Sequence, residues 1–281
     1  MWGADYLIDV ARLTVGRKCS SSLPKNLRKE ITRAELSLIG RLILGRLMST
    51  NTIDLLGYKI SFMSKKDFLY LFYEVFVGAS YFFQADDTHP LIFDCGSNIG
   101  MSVLFFKKLY PNARIVAFEP DPFTFETLRR NVDENHLSDI DLHQIALSNR
   151  VGEIELFRDA SSKISSLKMS TLRKRHSGPS VIVPARCLSE FISSEIDLLK
   201  IDIEGAEDAV MGNLANSGKL RQAKRLHLEY HHHIDASVDK LSSMLRLIED
   251  NGFGYQLRCS DNRAWPSEAS FQDVSIYCYR K

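Results

Sequence analysis

The chain has 281 residues, 44% of them hydrophobic and 25% charged, with a formal net charge of +1 at pH 7. This length and composition are typical of a globular protein that buries a full hydrophobic core. A net charge so close to zero gives no general signal for nucleic-acid binding, because proteins that bind phosphate backbones usually carry a basic excess.

Neither secretion nor membrane insertion is indicated by the sequence. Asp5 and Asp9 interrupt the apolar core that a signal peptide would need, and no apolar run approaches the roughly 20 residues of a membrane span. The five cysteines are odd in number and never stand in a Cys-x-x-Cys pair. This pattern favours reduced thiols and argues against a structural zinc site. We therefore expect a soluble, cytoplasmic protein.

Residues 1–50 are the most basic part of the chain, with nine Lys and Arg against four Asp and Glu. Leu36, Ile39, Ile43 and Leu47 recur at helical spacing and predict an amphipathic helix. Two roles stay open for this helix. It either covers the domain or makes a dimer contact, or it attaches the protein to a membrane surface or a partner. We favour the first role, because most amphipathic helices cover a core.

The next segments complete an N-terminal extension. Residues 52–61 predict a small hairpin, and residues 65–77 predict a helix rich in aromatic side chains that belong to a core or a lid. We therefore divide the chain into a helical and hairpin extension at 1–85 and a main domain at 86–281.

The main domain alternates predicted strands and helices. Strands are predicted at 91–95, 114–119, 141–146, 153–157, 196–202, 224–230, 253–258 and 273–279, and helices at 98–110, 122–134, 205–215 and 236–250. This alternation predicts a mostly parallel sheet with helices on both faces. No helix separates the last two strands, so we expect them to form an antiparallel edge pair. Residues 158–180 predict a long loop, which acts as a lid, contacts a substrate or is disordered.

Two glycines follow the first strand of the main domain. An apolar run ends at Asp94, and Gly96 and Gly100 then open a segment with helical periodicity. Such a turn lets backbone amides approach a ligand, and the helix start favours negative charge. Glu119 closes the next apolar run, where a carboxylate can accept hydrogen bonds from both ribose hydroxyls. These residues predict a nucleoside-bearing cofactor.

The spacing of the motif indicates which cofactor this is. Dinucleotide sites use Gly-x-Gly-x-x-Gly, whereas this chain has Asp94-x-Gly96-x-x-x-Gly100. A carboxylate at this point would repel a pyrophosphate and would suit the cationic amino-acid end of S-adenosylmethionine. We therefore favour the methyl donor over a dinucleotide. The structural alternative is an ordinary strand-to-helix turn with no ligand.

The same residues resemble a known family. The segments Phe93-Asp-Cys-Gly-Ser-Asn-Ile-Gly100 and Ala117-Phe-Glu-Pro-Asp121 resemble the S-adenosylmethionine motifs of class I methyltransferases. Further matches are Ile145-Ala-Leu-Ser148, Asp197-Leu-Leu-Lys-Ile-Asp-Ile-Glu-Gly-Ala-Glu207 and Leu228-Glu-Tyr-His231. Together these segments, over residues 90–258, are similar to the FkbM family.

The resemblance implies an α/β, Rossmann-like fold with seven strands and S-adenosyl-L-methionine as the cofactor. Members of the family mostly transfer methyl groups to hydroxyls of sugars, glycolipids or polyketide-type natural products. The extension before residue 85 is where acceptor specificity and oligomer contacts are then expected. The residues that the resemblance places at the donor are Asp94, Gly96, Asn98, Gly100, Glu119, Pro120 and Ala146.

Two neighbouring predicted strands end in ionisable side chains. One carries Asp202 and Glu204, and the next carries Glu229 and His231. Because parallel strands end at the same edge of a sheet, we expect Asp202, Glu229 and His231 to meet near the reactive methyl. His231 and Glu229 are the predicted general bases, since histidine titrates near neutrality. Asp202 is expected to orient the acceptor or the ammonium group of the donor.

Other roles stay open for these side chains. Asp202 and Glu204 precede a predicted helix, which carboxylates often cap. Asp202 and Glu229 also offer oxygen ligands suited to Mg²⁺. The basic run Leu172-Arg-Lys-Arg-His176 is either a solvated loop segment or recognises an anionic acceptor.

The predicted function is O-methyl transfer to a hydroxylated small molecule or glycan. The alternatives are a methyltransferase of nucleic acid or of another small molecule, and a non-catalytic module that binds the donor or a partner. The near-neutral charge and the lack of an Asn/Asp-Pro-Pro-Tyr motif argue against a nucleic-acid acceptor. Homo-oligomerisation is left open by the sequence.

Overall fold

The computed structural model describes residues 19–43, 50–158, 169–170, 178–234, 239–259 and 272–281. The helices are α1 (Lys25–Ile43), α2 (Lys65–Leu71), α3 (Met101–Leu109), α4 (Pro122–Asp133), α5 (Glu207–Asn216) and α6 (Leu241–Asp250). The first seven strands are β1 (Thr52–Leu55), β2 (Tyr58–Ser61), β3 (Leu91–Cys95), β4 (Arg114–Phe118), β5 (Ile140–His143), β6 (Ala146–Ser148) and β7 (Gly152–Arg158). The other strands are β8 (Met169–Ser170), β9 (Ser180–Cys187), β10 (Leu198–Ile201), β11 (Arg225–His232), β12 (Phe253–Cys259) and β13 (Gln272–Arg280).

A seven-stranded sheet in the order β12-β13-β11-β10-β3-β4-β5 forms the centre of the described residues. The pairs β11/β10, β10/β3, β3/β4 and β4/β5 are parallel, which confirms the predicted α/β, Rossmann-like fold. The chain leaves β3 towards β4 on one side and returns to β10 on the other. Ligands of open α/β sheets bind in the crevice at such a switch point.

The last two strands pair antiparallel, as predicted. β13 also pairs antiparallel with β11, so β13 is the inner strand of the pair and β12 is the outer one. The two strands therefore form the predicted antiparallel pair at one edge of the sheet.

A second sheet, β6-β9-β7-β8, interrupts the predicted order. The predicted strand at 141–146 is divided, since β5 joins the central sheet and β6 pairs with β9. β9 was not predicted, although its buried Val183 and Ala185 alternate with exposed residues as in a half-buried strand. Most of the predicted 158–180 loop, including the basic run 172–176, lies outside the described residues.

Helix α1 is present, but its apolar face differs from the prediction. Leu27, Ile31 and Leu38 are buried, whereas Leu36 is 65% exposed. The predicted face was therefore wrong in the described part of the helix, and Leu47 lies outside the described residues. Both sets of apolar residues recur at helical spacing, so only contact with the rest of the core distinguishes the two faces.

Aromatic packing connects the extension to the main domain. Phe68, Phe72 and Phe76 form a row along α2 and the π-helical turn Phe72–Val77 that follows it. Phe76 meets Phe105 of α3 edge to face, with ring centroids 5.4 Å apart. The two predicted units thus share one hydrophobic core, and the boundary at residue 85 stays a prediction.

No helix among the described residues is both long enough and apolar enough to cross a bilayer. All five cysteines are free, and Cys95 and Cys278 are buried. Burial raises the pKa of the Cys95 thiol well above its usual range, so this cysteine acts as a small core residue.

Candidate active site

A cavity of about 240 Å³ lies beyond the carboxyl ends of β3, β4, β10 and β11. The predicted site residues that line it are Gly96, Asn98, Glu119, Pro120, Ala146, Asp202, Glu229 and His231. The cavity therefore brings together residues from both predicted halves of the site. Asp94 and Gly100 are not part of its wall.

The glycine turn after β3 is packed so tightly that a side chain has no room. Gly96 has φ +83°, and an added Cβ would lie 1.8 Å from the carbonyl oxygen of Asp202. Gly100, with φ +89°, begins α3, and its added Cβ would lie 2.7 Å from the Leu128 side chain. The backbone N–H of Gly96 donates to Phe118 O at 3.0 Å, which fastens the turn to β4. The turn is thus fixed between β4 and β10.

Glu119 is held by backbone amides at the end of β4. Its Oε2 accepts from the N–H of Asn98 at 3.0 Å, and its Oε1 accepts from the N–H of Asp121 at 2.9 Å. Burial raises the pKa of Glu119 to about 8, although both hydrogen bonds oppose this shift. The carboxyl group is therefore oriented in advance beside the cavity.

An apolar part of the wall adjoins Glu119. It is formed by Phe118, Ile145, Ala146, Leu147 and Leu156. A flat apolar group such as a nucleoside base suits this surface, and the Glu119 carboxyl lies where the attached sugar would follow. The residues present therefore fit the adenosine part of S-adenosylmethionine.

Asp94 has a different environment from the one predicted. It is fully buried, and its Oδ2 accepts from Ser102 Oγ at 2.6 Å. Its Oδ1 lies 3.2 Å from Lys200 Nζ, and that ammonium also donates to Gly96 O at 2.6 Å. Asp94 therefore supports the turn from below with its charge balanced by Lys200. The prediction that it faces the ammonium group of the donor does not match this geometry.

Lys200 joins the two halves of the site. Burial by itself lowers its pKa, but Asp94 and Asp202 outweigh burial and raise it. Lys200 Nζ lies 3.7 Å from Asp202 Oδ2, and the hydroxyl of Tyr81 donates to the same oxygen at 3.3 Å. The Asp202 side chain is 21% exposed and lines the cavity. Asp202 is thus a carboxylate stabilised by a cation and a hydroxyl donor.

His231 has both ring nitrogens beside carboxylates. Nδ1 is 2.8 Å from Glu207 Oε1, and Nε2 is 3.2 Å from Glu204 Oε2. Burial by itself lowers the pKa of His231, but Glu207 and Glu204 outweigh it and raise the pKa to about 10. At neutral pH the ring is an imidazolium that holds these carboxylates. The prediction that His231 acts as the general base is therefore replaced.

Glu229, the other predicted base, lies in surroundings that favour its protonated form. Burial, with Asp202 next, raises its pKa well above the usual range. Burial and the charge of Asp202 also raise the pKa of Glu74 to about 8. Both side chains line the cavity as carboxylic acids that can donate hydrogen bonds. The prediction of Glu229 as a base is therefore replaced as well.

Sequence reasoning missed three side chains of the cavity wall that come from the extension, namely Tyr70, Glu74 and Tyr81. Glu74 interrupts the otherwise apolar run from Phe68 to Val77. A carboxyl group in the middle of a core-forming segment was the signal that could have indicated a site. The extension therefore completes the cavity.

The predicted Mg²⁺ site does not fit the charges present. Asp202, Glu229 and His231 do offer ligand atoms within 4.8 Å of one another. However, the Lys200 ammonium lies 3.7 Å from Asp202, and the His231 imidazolium lies 3.9 Å from it. Two fixed cations thus already neutralise the carboxylate that a divalent ion would need. The side chains present therefore do not fit Mg²⁺.

Comparison with known proteins agrees with this geometry. The model of the methyltransferase FkbM domain matches residues 94–255. The chain is 29% identical over 164 residues to Methyltransferase 1 of Beauveria bassiana (strain ARSEF 2860), a match that covers 50% of this chain and 65% of that protein. It is 31% identical over 150 residues to the 2-O-methyltransferase NoeI of Sinorhizobium fredii (strain NBRC 101917 / NGR234). This match covers 47% of this chain and 60% of that protein.

The chain thus spans less than two thirds of the length of either relative. Among solved structures, a methyltransferase FkbM from Methylobacillus flagellatus KT is 18% identical, with a TM-score of 0.45 over 68% of this chain and 44% of that one. Because the family model matches more than half of the sequence, the chain belongs to the FkbM family of S-adenosylmethionine-dependent methyltransferases.

Proposed function

We propose that the protein transfers a methyl group from S-adenosylmethionine to a hydroxyl of a sugar, glycolipid or natural-product acceptor. Family membership supports methyl transfer, and one relative is named as a 2-O-methyltransferase. The observation that carries the choice of a hydroxyl is Asp202, a carboxylate on the cavity wall beside Lys200 and Tyr81. A hydroxyl must lose its proton as it attacks, so it requires such a group.

The donor would be held by residues of the β3–β4 side. Glu119 would accept hydrogen bonds from the ribose hydroxyls, and the apolar wall around Ala146 would cover the base. The turn at Gly96 would face the methionine part. When bound, S-adenosylmethionine supplies a methyl group activated by its sulfonium charge. The protein then has to align the acceptor oxygen and take up its proton.

The remaining cavity residues suit these two tasks. Asp202 accepts the hydroxyl proton, a role worth about 10²–10⁴-fold in rate. The protonated carboxyl groups of Glu74 and Glu229 donate hydrogen bonds that orient the oxygens of the acceptor. Alignment of the reacting groups contributes about 7–11 kcal/mol in well-oriented reactions. The Lys200 ammonium, 3.7 Å from Asp202 Oδ2, holds this side chain at the cavity wall.

Two measurements test this function. Calorimetry with S-adenosylhomocysteine is expected to give saturable binding of one molecule per chain, and no binding would reject the donor site. Methyl-labelled S-adenosylmethionine is then incubated with a panel of sugars, glycolipids and polyketide alcohols, and the product is examined by NMR. A methyl ether supports the proposal. Labelling of RNA or protein nitrogen, or donor binding with no methylated product from any acceptor, contradicts it.

A further inference from the structure

A second and larger cleft, of about 980 Å³, adjoins the cavity. Tyr70, Glu74, Glu229 and Asp273 line both spaces. Glu119 and Ala146, at the donor end, line only the smaller cavity. The cleft therefore meets the cavity on the side where an acceptor has to enter.

Two arginines give this cleft a charge that the cavity lacks. Arg28 comes from α1 and Arg258 from β12, and both line the cleft. Among the described residues, the arginines paired with carboxylates are Arg129, Arg186 and Arg225, and neither Arg28 nor Arg258 is among them. Arg258 lies near the hydroxyl of Tyr277, where its charge opposes the rise that burial causes in the pKa of that phenol. Guanidinium groups stay charged at every physiological pH and bind carboxylate, phosphate and sulfate through paired N–H groups.

The rest of the cleft is polar and carries little opposing charge. Its hydroxyl-bearing side chains besides Tyr70 and Tyr277 are Ser20, Ser21, Ser80 and Ser275. Burial raises the pKa of Glu74 to about 8 and that of Glu229 well above its usual range, which favours the neutral form of both carboxyl groups. Asp273 is then the acidic side chain left at the inner end of the cleft. An anion near the two arginines would therefore meet little repulsion.

We propose that this cleft binds the acceptor, and that the acceptor is a polyhydroxylated molecule carrying a carboxylate, phosphate or sulfate. Arg28 and Arg258 would hold the anionic group, while the hydroxyl to be methylated reaches Asp202 in the cavity. This inference rests on the proposed function for the identity of the reaction, but the anion site itself does not. Both arginines lie outside the family match at 94–255. The extension and the last strands thus set a specificity that the shared domain does not.

The direct test measures anion binding with inorganic sulfate as the probe. The protein is saturated with S-adenosylhomocysteine, and sulfate replaces chloride at constant ionic strength while NMR shifts are followed. The cleft variant carries Arg28→Gln and Arg258→Gln. The matched control carries Arg129→Gln and Arg186→Gln, which remove two exposed arginines paired with Glu126 and Glu190 outside the cleft.

Sulfate is expected to bind the wild type and the control with affinities within about twofold of each other, and the cleft variant at least about tenfold more weakly, the usual loss for a charge-assisted pair. Equal sulfate affinity in the two variants, or no binding beyond that of chloride, would overturn the anion site. Donor binding is recorded in the same samples. If S-adenosylhomocysteine does not bind, the proposed function fails while the sulfate comparison still decides the cleft.

A second readout uses acceptors in charged and neutral pairs, such as methyl glucuronide with methyl glucoside. Preferential methylation of anionic members by the wild type, with a Michaelis constant raised about tenfold in the cleft variant and an unchanged turnover number, supports the proposal. Preference for neutral members, or a preference for anions that the cleft variant retains, contradicts it.

Discussion

The proposed donor end and the proposed acceptor end of the cavity are built in different ways. The proposed donor end combines the turns after β3 and β4, where the N–H of Asn98 donates to Glu119, with the apolar wall at residues 145–156. The acceptor end combines Glu74 and Tyr81 of the extension with Asp202 and side chains of β11 and β13. The residues proposed for the donor thus come from neighbouring parts of the sequence, whereas those proposed for the acceptor are brought together only by folding. This difference lets one domain keep its donor while acceptors vary.

The comparison predicts that the donor turn tolerates the least change. Gly96→Ala forces a Cβ to within 1.8 Å of the carbonyl oxygen of Asp202, at a positive φ that alanine disfavours. We expect the free energy of unfolding to fall by more than about 4 kcal/mol, as for severe overpacking at a strained position. Urea unfolding followed by circular dichroism measures this change.

The matched control is Gly212→Ala in α5, where an added Cβ would meet no atom within 4 Å. This variant is expected to gain up to about 1 kcal/mol, since alanine favours the helix. If the free energy of unfolding of Gly96→Ala lies within about 1 kcal/mol of the wild-type value, the turn is not tightly packed.

The junction between the two ends is the next most sensitive position. Lys200→Met leaves Asp94 buried without its cation. We expect a loss of about 3–5 kcal/mol in unfolding free energy, as when one partner of a buried ion pair is removed. Lys59→Met breaks an exposed pair with Glu134 and should cost at most about 1 kcal/mol. Equal costs for the two variants, measured in urea, would mean that Lys200 does not hold the site together.

The smallest expected effect is the pH dependence of donor binding. The pKa of Glu119 is raised from 4.5 to about 8 in the folded protein. Between these values the folded chain holds one more proton than the unfolded chain, so this group contributes less stability as pH rises through the window. Two ribose hydroxyls require the charged carboxylate, so donor binding displaces the proton.

The affinity for S-adenosylhomocysteine should therefore rise about tenfold as pH increases by about one unit towards 8, and then level off. Calorimetry is expected to show this slope in the wild type and in Glu74→Gln. The pKa of Glu74 is also raised to about 8, but this side chain lies at the proposed acceptor end. Glu119→Gln should have no slope. If Glu119→Gln keeps the slope and Glu74→Gln loses it, the displaced proton comes from Glu74, which contradicts the role given to Glu119.

The same contrast determines what could be predicted from the sequence. The central sheet and the positions of Gly96 and Glu119 follow from patterns within about 30 residues, the length of one strand–helix–strand unit. The insertion of β13 between β11 and β12 depends on the closure of the whole sheet. Such long-range pairing leaves no trace in local periodicity.

Charge balance was harder to predict than position. Asp202, Glu229 and His231 were expected to meet, and all three line one cavity. Their roles changed because Glu204 and Glu207 convert His231 into a cation, and burial keeps Glu229 neutral. These shifts depend on distances across the fold, which ordinary pKa values cannot supply.

In the proposed reaction, Asp202 takes the proton of the acceptor while other residues hold the donor. The most direct measurement compares single turnover and S-adenosylhomocysteine affinity in Asp202→Asn, with Asp208→Asn at the exposed start of α5 as the control. We expect Asp202→Asn to lower the rate of methyl transfer by about 10²–10⁴-fold with donor affinity within about twofold of the wild type. Retention of the full rate by Asp202→Asn would contradict the account.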